Sequence, residues 1–154
     1  MSDADTLRAA LRDIPDFPKP GIIFKDITPI LGNGELFQTS LRLLAETARD
    51  TAVDKVVGID ARGFIFAAAV ADRLKAGFVP IRKKGKLPWK TREASYTLEY
   101  GEAVMEIHQD AVNPGENTHI ENDPDPVGIG IGIGHRRLAL IGNLVVAVNC
   151  PLKP

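Results

Sequence analysis

Two short segments of the sequence carry basic side chains beside glycine, where an anion could bind. The first, GIDARGF, places Asp60 to Gly63 between an apolar run typical of a strand and a run typical of a helix. Open parallel sheets bind ligands at such junctions, and the free N–H groups and dipole of a first helical turn favour anions. Arg62 adds a guanidinium that can bind a phosphate through two hydrogen bonds. The segment therefore predicts an anion site, against the alternative of a surface arginine on an ordinary turn.

The second segment, IRKKGK, brings four cationic side chains to the end of the next predicted strand: Arg82, Lys83, Lys84 and Lys86. They could hold a second anion or belong to a lid, and the alternative is a solvated run of charge. Because the carboxyl ends of parallel strands share one edge of a sheet, both segments are expected to face a ligand with more than one phosphate. The sequence has no GxxxxGK[ST] motif and no GxGxxG motif after a strand, which disfavours ordinary ATP-loop and dinucleotide sites.

Other candidate side chains also have a structural interpretation, and the local pattern favours that one. Phe24, beside extended backbone in GIIFKD, could stack on a flat heterocycle, but a core phenylalanine is the commoner case. Glu99 and Tyr100 in LEYG could position a base or a sugar, or be ordinary residues at a strand edge. The three histidines lack the spacing of metal ligands, so no metal site on the protein is predicted.

The N-terminal third is predicted to contain two helices separated by a rigid loop. Apolar residues from Leu7 to Ile14 follow an i, i+3, i+4, i+7 stripe that predicts a helix. Three prolines and a glycine within 15–21 make 16–21 a rigid loop, and 22–24 is short, apolar and extended. Helical spacing returns over 35–52.

The middle of the chain is predicted to fold as strand, helix, strand. The strands are 56–59 and 78–82, and the helix between them spans 64–75 with Gly77 as its C-cap residue. This order predicts a right-handed parallel crossover, so the fold class is α/β.

After the second strand the pattern becomes polar and then alternating. Lys83 to Glu93 is predicted to be an exposed loop, and SYTLEY and EAVMEI alternate around Gly101 as in a hairpin. A last buried strand is predicted over 144–150.

Composition predicts one soluble domain and excludes several classes of protein. The 154 residues are 44% hydrophobic and 25% charged, ordinary values for a globular chain. Nineteen basic residues against 20 acidic ones argue against a nucleic-acid-binding protein. No apolar run is long enough to span a membrane, and the acidic N-terminus is unlike a signal peptide. A single cysteine, Cys150, precludes an internal disulfide, so a cytoplasmic protein is expected.

Taken together, several segments resemble the adenine phosphoribosyltransferase family. They are IPDFPKPGIIFKDITPIL, GIDARGFIF, IRKKGKLPWKT, YTLEYG and EIHQDAVNPGE, in this order within residues 7–116. The resemblance implies a type I phosphoribosyltransferase fold, with a parallel sheet flanked by helices and a flexible hairpin loop. It also implies a single domain over 1–154, in which about residues 1–34 contribute a small hood that holds the base.

The implied reaction joins adenine to 5-phosphoribosyl-1-pyrophosphate and yields AMP and pyrophosphate, in a homodimeric enzyme. Magnesium would be held mainly by the pyrophosphate of the substrate, as this hard cation prefers. The resemblance assigns pyrophosphate contacts to Arg62, Lys83 and Lys86, with Arg82 in the same basic segment. The backbone of Ile23 and the side chains of Phe24 and Lys25 would form the adenine pocket. Glu99 and Tyr100 would lie near the reacting sugar and base.

One segment departs from the family pattern where the sugar phosphate should bind. The family has a hydrophobic strand, two aspartates, two apolar residues and Ala-Thr-Gly-Gly-Thr at a helix start, whereas this chain has THIENDPDPVGIG. Asn122 replaces the first aspartate, while Asp123 and Gly128 match and are carried over as substrate-binding residues. Two prolines remove N–H donors, and the loss of two hydrogen bonds to a charged group would cost about 3–6 kcal/mol. The glycine–isoleucine alternation predicts an extended strand instead of a helix.

Two functional hypotheses therefore stand. The first is an adenine phosphoribosyltransferase of purine salvage. The second is a phosphoribosyltransferase-fold protein that binds purine or nucleotide without catalysis, as a regulator or as the inert partner in an oligomer. The departing segment is a genuine substitution, a local frameshift, or a loop that binds phosphate through its backbone. The following RRLALIGNLVVAVNC resembles the end of the family's helix and its next strand.

Overall fold

The computed structural model describes residues 2–48, 50, 52–98, 101–121, 137–141 and 144–148 of the chain. The helices are α1 (Asp3–Ala10), α2 (Thr28–Leu31), α3 (Gly34–Glu46) and α4 (Arg62–Leu74). The strands are β1 (Arg12–Pro15), β2 (Ile23–Asp26), β3 (Lys55–Ile59), β4 (Gly77–Lys83), β5 (Thr91–Leu98), β6 (Gly101–His108), β7 (Thr118–Glu121), β8 (Arg137–Ile141) and β9 (Leu144–Val148). Helices and strands alternate through the centre of this order, as in an α/β fold.

The central sheet has five strands in the order β5-β6-β4-β3-β7. Strand β3 lies parallel to both β4 and β7, with Val57 opposite Val79 and Ile120. The predicted parallel arrangement of the strands around α4 is confirmed. The sheet is mixed, however, because β6 pairs antiparallel with β4 and with β5. The hairpin predicted around Gly101 is therefore an extension of the central sheet.

Apolar side chains form two clusters on opposite faces of β3. The helix-side core takes residues from all four helices: Leu7, Ile27, Ile30, Leu41, Leu44, Val56, Phe66, Ala67, Val70 and Ala71. The strand-side core takes its residues from three strands: Val57, Ile59, Val79, Ile81, Met105 and Ile107. Val56 and Val57 fall into different clusters because successive side chains of a strand point to opposite faces.

The predicted helix through Ile14 is too long, because α1 ends at Ala10. Residues 12–15 form β1, which pairs antiparallel with β2 and places Ile14 opposite Phe24. Backbone pairing with a strand beyond the proline-rich turn therefore takes Ile14 out of the apolar stripe of the helix. The predicted loop over 16–21 and the extended segment that follows it are confirmed.

The longer helices also differ from prediction at their ends. Helix α3 ends at Glu46, six residues before the predicted boundary, while α4 begins at Arg62. The C-cap of α4 is Lys75 with φ 55°, so the prediction of Gly77 as the cap is wrong, and Gly77 begins β4 instead. With 13 residues each, α3 and α4 are the longest helices, and among the described residues none is long and apolar enough to cross a membrane.

The second half of the chain is richer in strand than predicted. The loop after β4 is limited to residues 84–90, because Lys83 closes β4 and β5 begins at Thr91. The segment that resembles a helix end is instead β8, which pairs antiparallel with β9 from Arg137 opposite Val148 to Ile141 opposite Leu144. The predicted last strand is confirmed over Leu144–Val148. The predicted glycine–isoleucine strand lies outside the described residues.

Candidate active site

The turn between β3 and α4 leaves the start of the helix open for an anion. Ser2 caps α1 and Asn33 caps α3 by accepting hydrogen bonds from N–H groups of the first turn. Helix α4 has Ala61 at this position, with no side-chain cap and no acidic residue in its first turn. Its first N–H groups thus have no side-chain acceptor from the cap, and the helix dipole favours negative charge there.

Arg62, the first residue of α4, has an unsatisfied hydrogen-bond donor. Its guanidinium carbon lies 5.5 Å from the centroid of the Phe24 ring, in a cation–π contact. Its Nη1 atom is buried and has no hydrogen-bond partner among the described residues. Leaving a buried donor unpaired costs about 1–3 kcal/mol, and more for a charged group. An anion that accepts from Nη1 would remove this penalty.

Phe24 contacts residues of the site and is absent from both cores. Its ring is partly exposed and meets the ring of Phe17 at a centroid distance of 5.1 Å and an interplanar angle of 70°. Phe17 is 50% exposed in the loop between β1 and β2. The interpretation of Phe24 as a core phenylalanine is therefore wrong. An exposed pair of aromatic rings beside a guanidinium can accept a flat, electron-rich ring by stacking.

The two neighbours of Phe24 on β2, Ile23 and Lys25, differ in their exposure and in their contacts. Ile23 is 56% exposed, and its backbone lies opposite Pro15, which has no N–H group. The Lys25 ammonium donates to the Asp13 carboxylate at 2.5 Å, across the pairing of β1 and β2. The Lys25 side chain is thus held along the ribbon and is partly exposed.

The basic segment after β4 is joined to the turn before α4 by Arg82. Its Nε atom donates to Asp60 Oδ2 at 3.3 Å, and its Nη1 atom donates to the carbonyl of Lys86 at 3.2 Å. The same guanidinium lies 5.9 Å from the centroid of the Phe64 ring. The structure therefore brings the two predicted anion-binding segments together at one edge of the sheet, and Arg82 is the link between them.

The cations of this segment divide into two pairs. Arg82 is neutralised by Asp60, and the Lys84 ammonium donates to Glu93 at 2.8 Å. The Lys84–Glu93 hydrogen bond is also the first cause that raises the pKa of Lys84. Lys83 and Lys86 are exposed, and no carboxylate of the described residues lies within ion-pair distance of either. These two ammonium groups are free to meet a ligand.

Glu106 holds the backbone of the same segment in place, and the sequence analysis did not identify it. This side chain is 4% exposed, and its Oε1 accepts the N–H groups of Lys86 and Leu87, both at 3.1 Å. The Leu87 N–H is the first of the donors that hold the pKa of Glu106 below its ordinary value. In the alternating pattern of EAVMEI the residue reads as an ordinary polar position, so only the three-dimensional pairing reveals its role.

Four of the predicted site residues, Glu99, Tyr100, Asp123 and Gly128, lie outside the described residues. The others fall into two groups by chemistry: an aromatic pocket around Phe24, and a basic rim of Arg62, Lys83 and Lys86, whose two segments are linked by Arg82. The Arg62–Phe24 contact is where the two groups meet. Such an arrangement can bind a flat base beside a multiply charged anion and can neutralise the negative charge that develops on a leaving phosphate.

Comparison with known proteins identifies the relatives of the chain, although no family model matches it. It is 52% identical over 122 residues to the adenine phosphoribosyltransferase of Methylacidiphilum infernorum, covering 79% of this chain and 68% of that protein. The crystal structure of the adenine phosphoribosyltransferase of Rhodothermus marinus has a TM-score of 0.72 and 51% identity, over 77% of this chain and 67% of that one. The Saccharomyces cerevisiae adenine phosphoribosyltransferase, complexed with D-2,5-dideoxy-2,5-imino-altritol 1,6-bisphosphate and adenine, has a TM-score of 0.72 at 40% identity, over 77% and 69%.

The comparison of structures and the comparison of sequences indicate the same family. The mixed sheet with its layer of helices superposes on these structures, which confirms the type I phosphoribosyltransferase fold. The identities extend over most of this chain and over at least two thirds of each relative. The chain therefore belongs to the adenine phosphoribosyltransferase family.

Proposed function

We propose that this protein transfers the 5-phosphoribosyl group of 5-phosphoribosyl-1-pyrophosphate to adenine, giving AMP and pyrophosphate in purine salvage. The observation that carries the proposal is the buried, unpaired Nη1 of Arg62 at an uncapped helix start, in contact with the Phe24 ring. An anion site and an aromatic surface in contact suit a reaction that brings a base to a pyrophosphorylated sugar.

We assign the residues to two parts of the reaction. Arg62, Lys83 and Lys86 bind the pyrophosphate, since each has a donor without a carboxylate partner among the described residues. Phe24 stacks on adenine, with the Ile23 backbone and Lys25 at the sides of the pocket. From the family motifs, Glu99 and Tyr100 act near the sugar and base, and Asp123 and Gly128 bind the sugar phosphate.

The chemistry follows from the charges at the site. A nitrogen of adenine forms a bond to the sugar carbon and gives up its proton to solvent, while the bond from that carbon to the pyrophosphate oxygen breaks. The sugar carbon becomes cation-like as the bond to the leaving group breaks. Arg62, Lys83 and Lys86 neutralise the charge that develops on pyrophosphate. Phe24 orients the base, so that the reacting atoms are held together instead of meeting by diffusion.

Magnesium enters this scheme as part of the substrate. No group of three or more His, Cys, Asp or Glu that could hold a metal is found within the described ranges. The basic rim fits a pyrophosphate that brings its own cation, because Mg²⁺ prefers phosphate oxygens and water. We propose that Mg²⁺ binds mainly through pyrophosphate, where it would add to the neutralisation of the leaving group.

We extend the proposal to organisation and location. Residues 1–34 would contribute the hood over the base, an assignment supported by the separate β1–β2 ribbon that carries Phe24. The whole chain would act as one domain and assemble as a homodimer in the cytoplasm, as its family implies.

A second function is favoured by one observation in the sequence. Asn122, Pro124 and Asp125 stand where the family supplies a carboxylate, N–H donors and a neutral environment for the sugar phosphate. A chain with this segment would keep the base pocket and the basic rim but bind the activated sugar poorly. It would then act as a non-catalytic purine or nucleotide binder.

The test is AMP formation from adenine, 5-phosphoribosyl-1-pyrophosphate and Mg²⁺. We expect product with the wild-type chain and at least about tenfold lower kcat/KM with Arg62→Ala, since one charge-assisted hydrogen bond contributes about 1.5–3 kcal/mol. Arg73→Ala is the matched control, because Arg73 lies at the other end of α4 and contacts Gln38. Absence of AMP under all conditions, with adenine or AMP still bound, would establish the second function instead.

A further inference from the structure

The loop between β4 and β5 is held at a single residue, Lys86, from two directions. The N–H of Lys86 donates to Glu106 Oε1 at 3.1 Å, and its carbonyl accepts from Arg82 Nη1 at 3.2 Å. Glu106 and Arg82 lie directly opposite each other on β6 and β4. Two neighbouring strands of the rigid sheet thus fix the backbone of a residue whose own ammonium is exposed and free.

Glu106 is the centre of a set of backbone donors. Besides the Lys86 N–H, its Oε1 accepts the Leu87 N–H at 3.1 Å, and its Oε2 accepts the Thr91 hydroxyl at 3.4 Å. Gly85 has φ +81°, a conformation in which successive N–H groups converge on an anion. Its N–H contributes, after those of Leu87 and Lys86, to holding the pKa of Glu106 below its ordinary value. A carboxylate that is 4% exposed requires such donors, so the loop and the side chain specify each other's position.

The same network reaches the turn before α4. Arg82, which holds the Lys86 carbonyl, also donates through Nε to Asp60 at 3.3 Å. Asp60 is two residues before Arg62, so a continuous chain of hydrogen bonds runs from that turn through Arg82 and Lys86 to Glu106. Both cationic parts of the rim therefore share one hydrogen-bonded support, which ends at the buried carboxylate of Glu106.

We propose that Glu106 is a positioning residue for pyrophosphate recognition, which fixes the loop so that the ammonium groups of Lys83 and Lys86 meet the same anion as Arg62. This inference rests on the proposed function for the identity of the anion. Glu106 does not touch substrate, because it is buried beneath the loop. Its effect is geometric, and displacements of about 1 Å in a binding group can change rates about a hundredfold.

Glu106 differs in its hydrogen-bonding partners from its acidic neighbour on the adjacent strand. Glu93 lies directly opposite Glu106 on β5, but it is exposed, and its carboxylate forms an ion pair with the Lys84 ammonium. Glu93 thus touches a side chain of the loop without holding the loop backbone. It provides a matched control, because it is the same residue type at the paired register position of the adjacent strand.

The test compares Glu106→Ala and Glu106→Gln with Glu93→Gln by calorimetric binding of magnesium pyrophosphate and by steady-state kinetics. For Glu106→Ala we expect the Kd for pyrophosphate and the KM for 5-phosphoribosyl-1-pyrophosphate to rise about tenfold or more. The KM for adenine should stay within about twofold, because Phe24 lies on a different sheet. Glu106→Gln retains one acceptor oxygen and should lose about threefold, and Glu93→Gln less than twofold.

Amide hydrogen exchange of Gly85, Lys86 and Leu87 supplies a readout that does not depend on turnover. Exchange should accelerate in Glu106→Ala and remain unchanged in Glu93→Gln. If the alanine variant does not fold, Glu106→Gln and Thr91→Val make the same comparison, with losses of about threefold each expected.

The outcomes separate the inference from the proposed function. Unchanged pyrophosphate affinity in the folded Glu106 variants, or equal losses for adenine and pyrophosphate, overturns the positioning role. Equal losses in Glu93→Gln overturn it too. If the wild-type chain forms no AMP but binds magnesium pyrophosphate in a manner that depends on Glu106, the proposed function fails and the positioning role stands. If the wild-type chain binds no pyrophosphate, both fail.

Discussion

Strand β3 packs closely against α4 at Gly58, and a side chain at this position should lower the stability of the fold. A Cβ at this position would lie 2.8 Å from Ala67 Cβ, 2.9 Å from Phe78 Cε2 and 3.0 Å from the carbonyl oxygen of Gly63. Phe78 is 38% exposed and can turn aside, but Ala67 is fully buried and the Gly63 carbonyl is part of the helix backbone. Gly58→Ala therefore requires α4 to move away from the sheet.

The size of the effect follows from these contacts. Overpacking of a close-packed core costs typically about 1–3 kcal/mol of unfolding free energy. For a chain of this length 1 kcal/mol corresponds to about 2–4 °C in Tm, so we expect Tm to fall by about 2–12 °C. Because one of these contacts, with the Gly63 carbonyl, is in the first turn of α4, the shift also displaces Arg62, and pyrophosphate affinity should fall along with stability.

Thermal and urea unfolding followed by circular dichroism measure the loss of stability, and calorimetric binding of magnesium pyrophosphate measures the loss of affinity. Gly34→Ala is the control, since nothing lies within 4 Å of its Cβ at the start of α3. That variant should range from neutral to about 1 kcal/mol more stable. If Gly58→Ala unfolds at the same urea concentration as the wild type, the close approach of β3 and α4 is not what excludes a side chain there.

Three further outcomes follow from the structure. Phe66→Ala should lower the unfolding free energy by about 3–5 kcal/mol in urea titrations, since Phe66 is 2% exposed in the helix-side core. Phe24→Ala should raise the KM for adenine about tenfold, because stacking on a base contributes about 1–3 kcal/mol; a KM within twofold of wild type would remove Phe24 from the pocket. Folding lowers the pKa of Glu106, so as the pH falls this carboxylate is protonated in the unfolded chain before it is protonated in the folded one. The stabilisation that ionised Glu106 gives to the fold is therefore complete above the ordinary pKa of 4.5 and is lost as the pH falls through the folded-state pKa. Unfolding measured against pH should show a shallower acid decline in Glu106→Gln, and identical slopes would contradict the contacts of this carboxylate.

Local pattern predicted the elements whose partners are close in the sequence. The β3–α4–β4 unit and the hairpin of β5 and β6 need only short-range periodicity and glycine, and both are confirmed. Ile14 fitted a helical stripe equally well, and only its pairing with Phe24 across the loop makes it part of a strand. Lys75 takes the left-handed C-cap position that the pattern gave to Gly77, because Gly77 is already paired with Lys55 as β4 begins.

The candidate site was predictable in its charges but not in its pairings. The basic and aromatic residues are visible in the sequence by type and position. The pairing of Arg82 with Asp60 and of Lys84 with Glu93 is not, because each joins residues from different elements. It is this pairing that leaves Lys83 and Lys86 as the free cations, and it required the register of the sheet.

The helix-side core has a consequence for the order in which the chain folds. All of its members, including the partly buried ones, lie between Leu7 and Ala76, whereas the strand-side core extends to Val112. During synthesis the ribosome therefore adds every residue of the first cluster before the second cluster has all of its own. We expect the helix layer and β3 to assemble first and to provide the template on which β4, β6 and the loop between β4 and β5 are later placed.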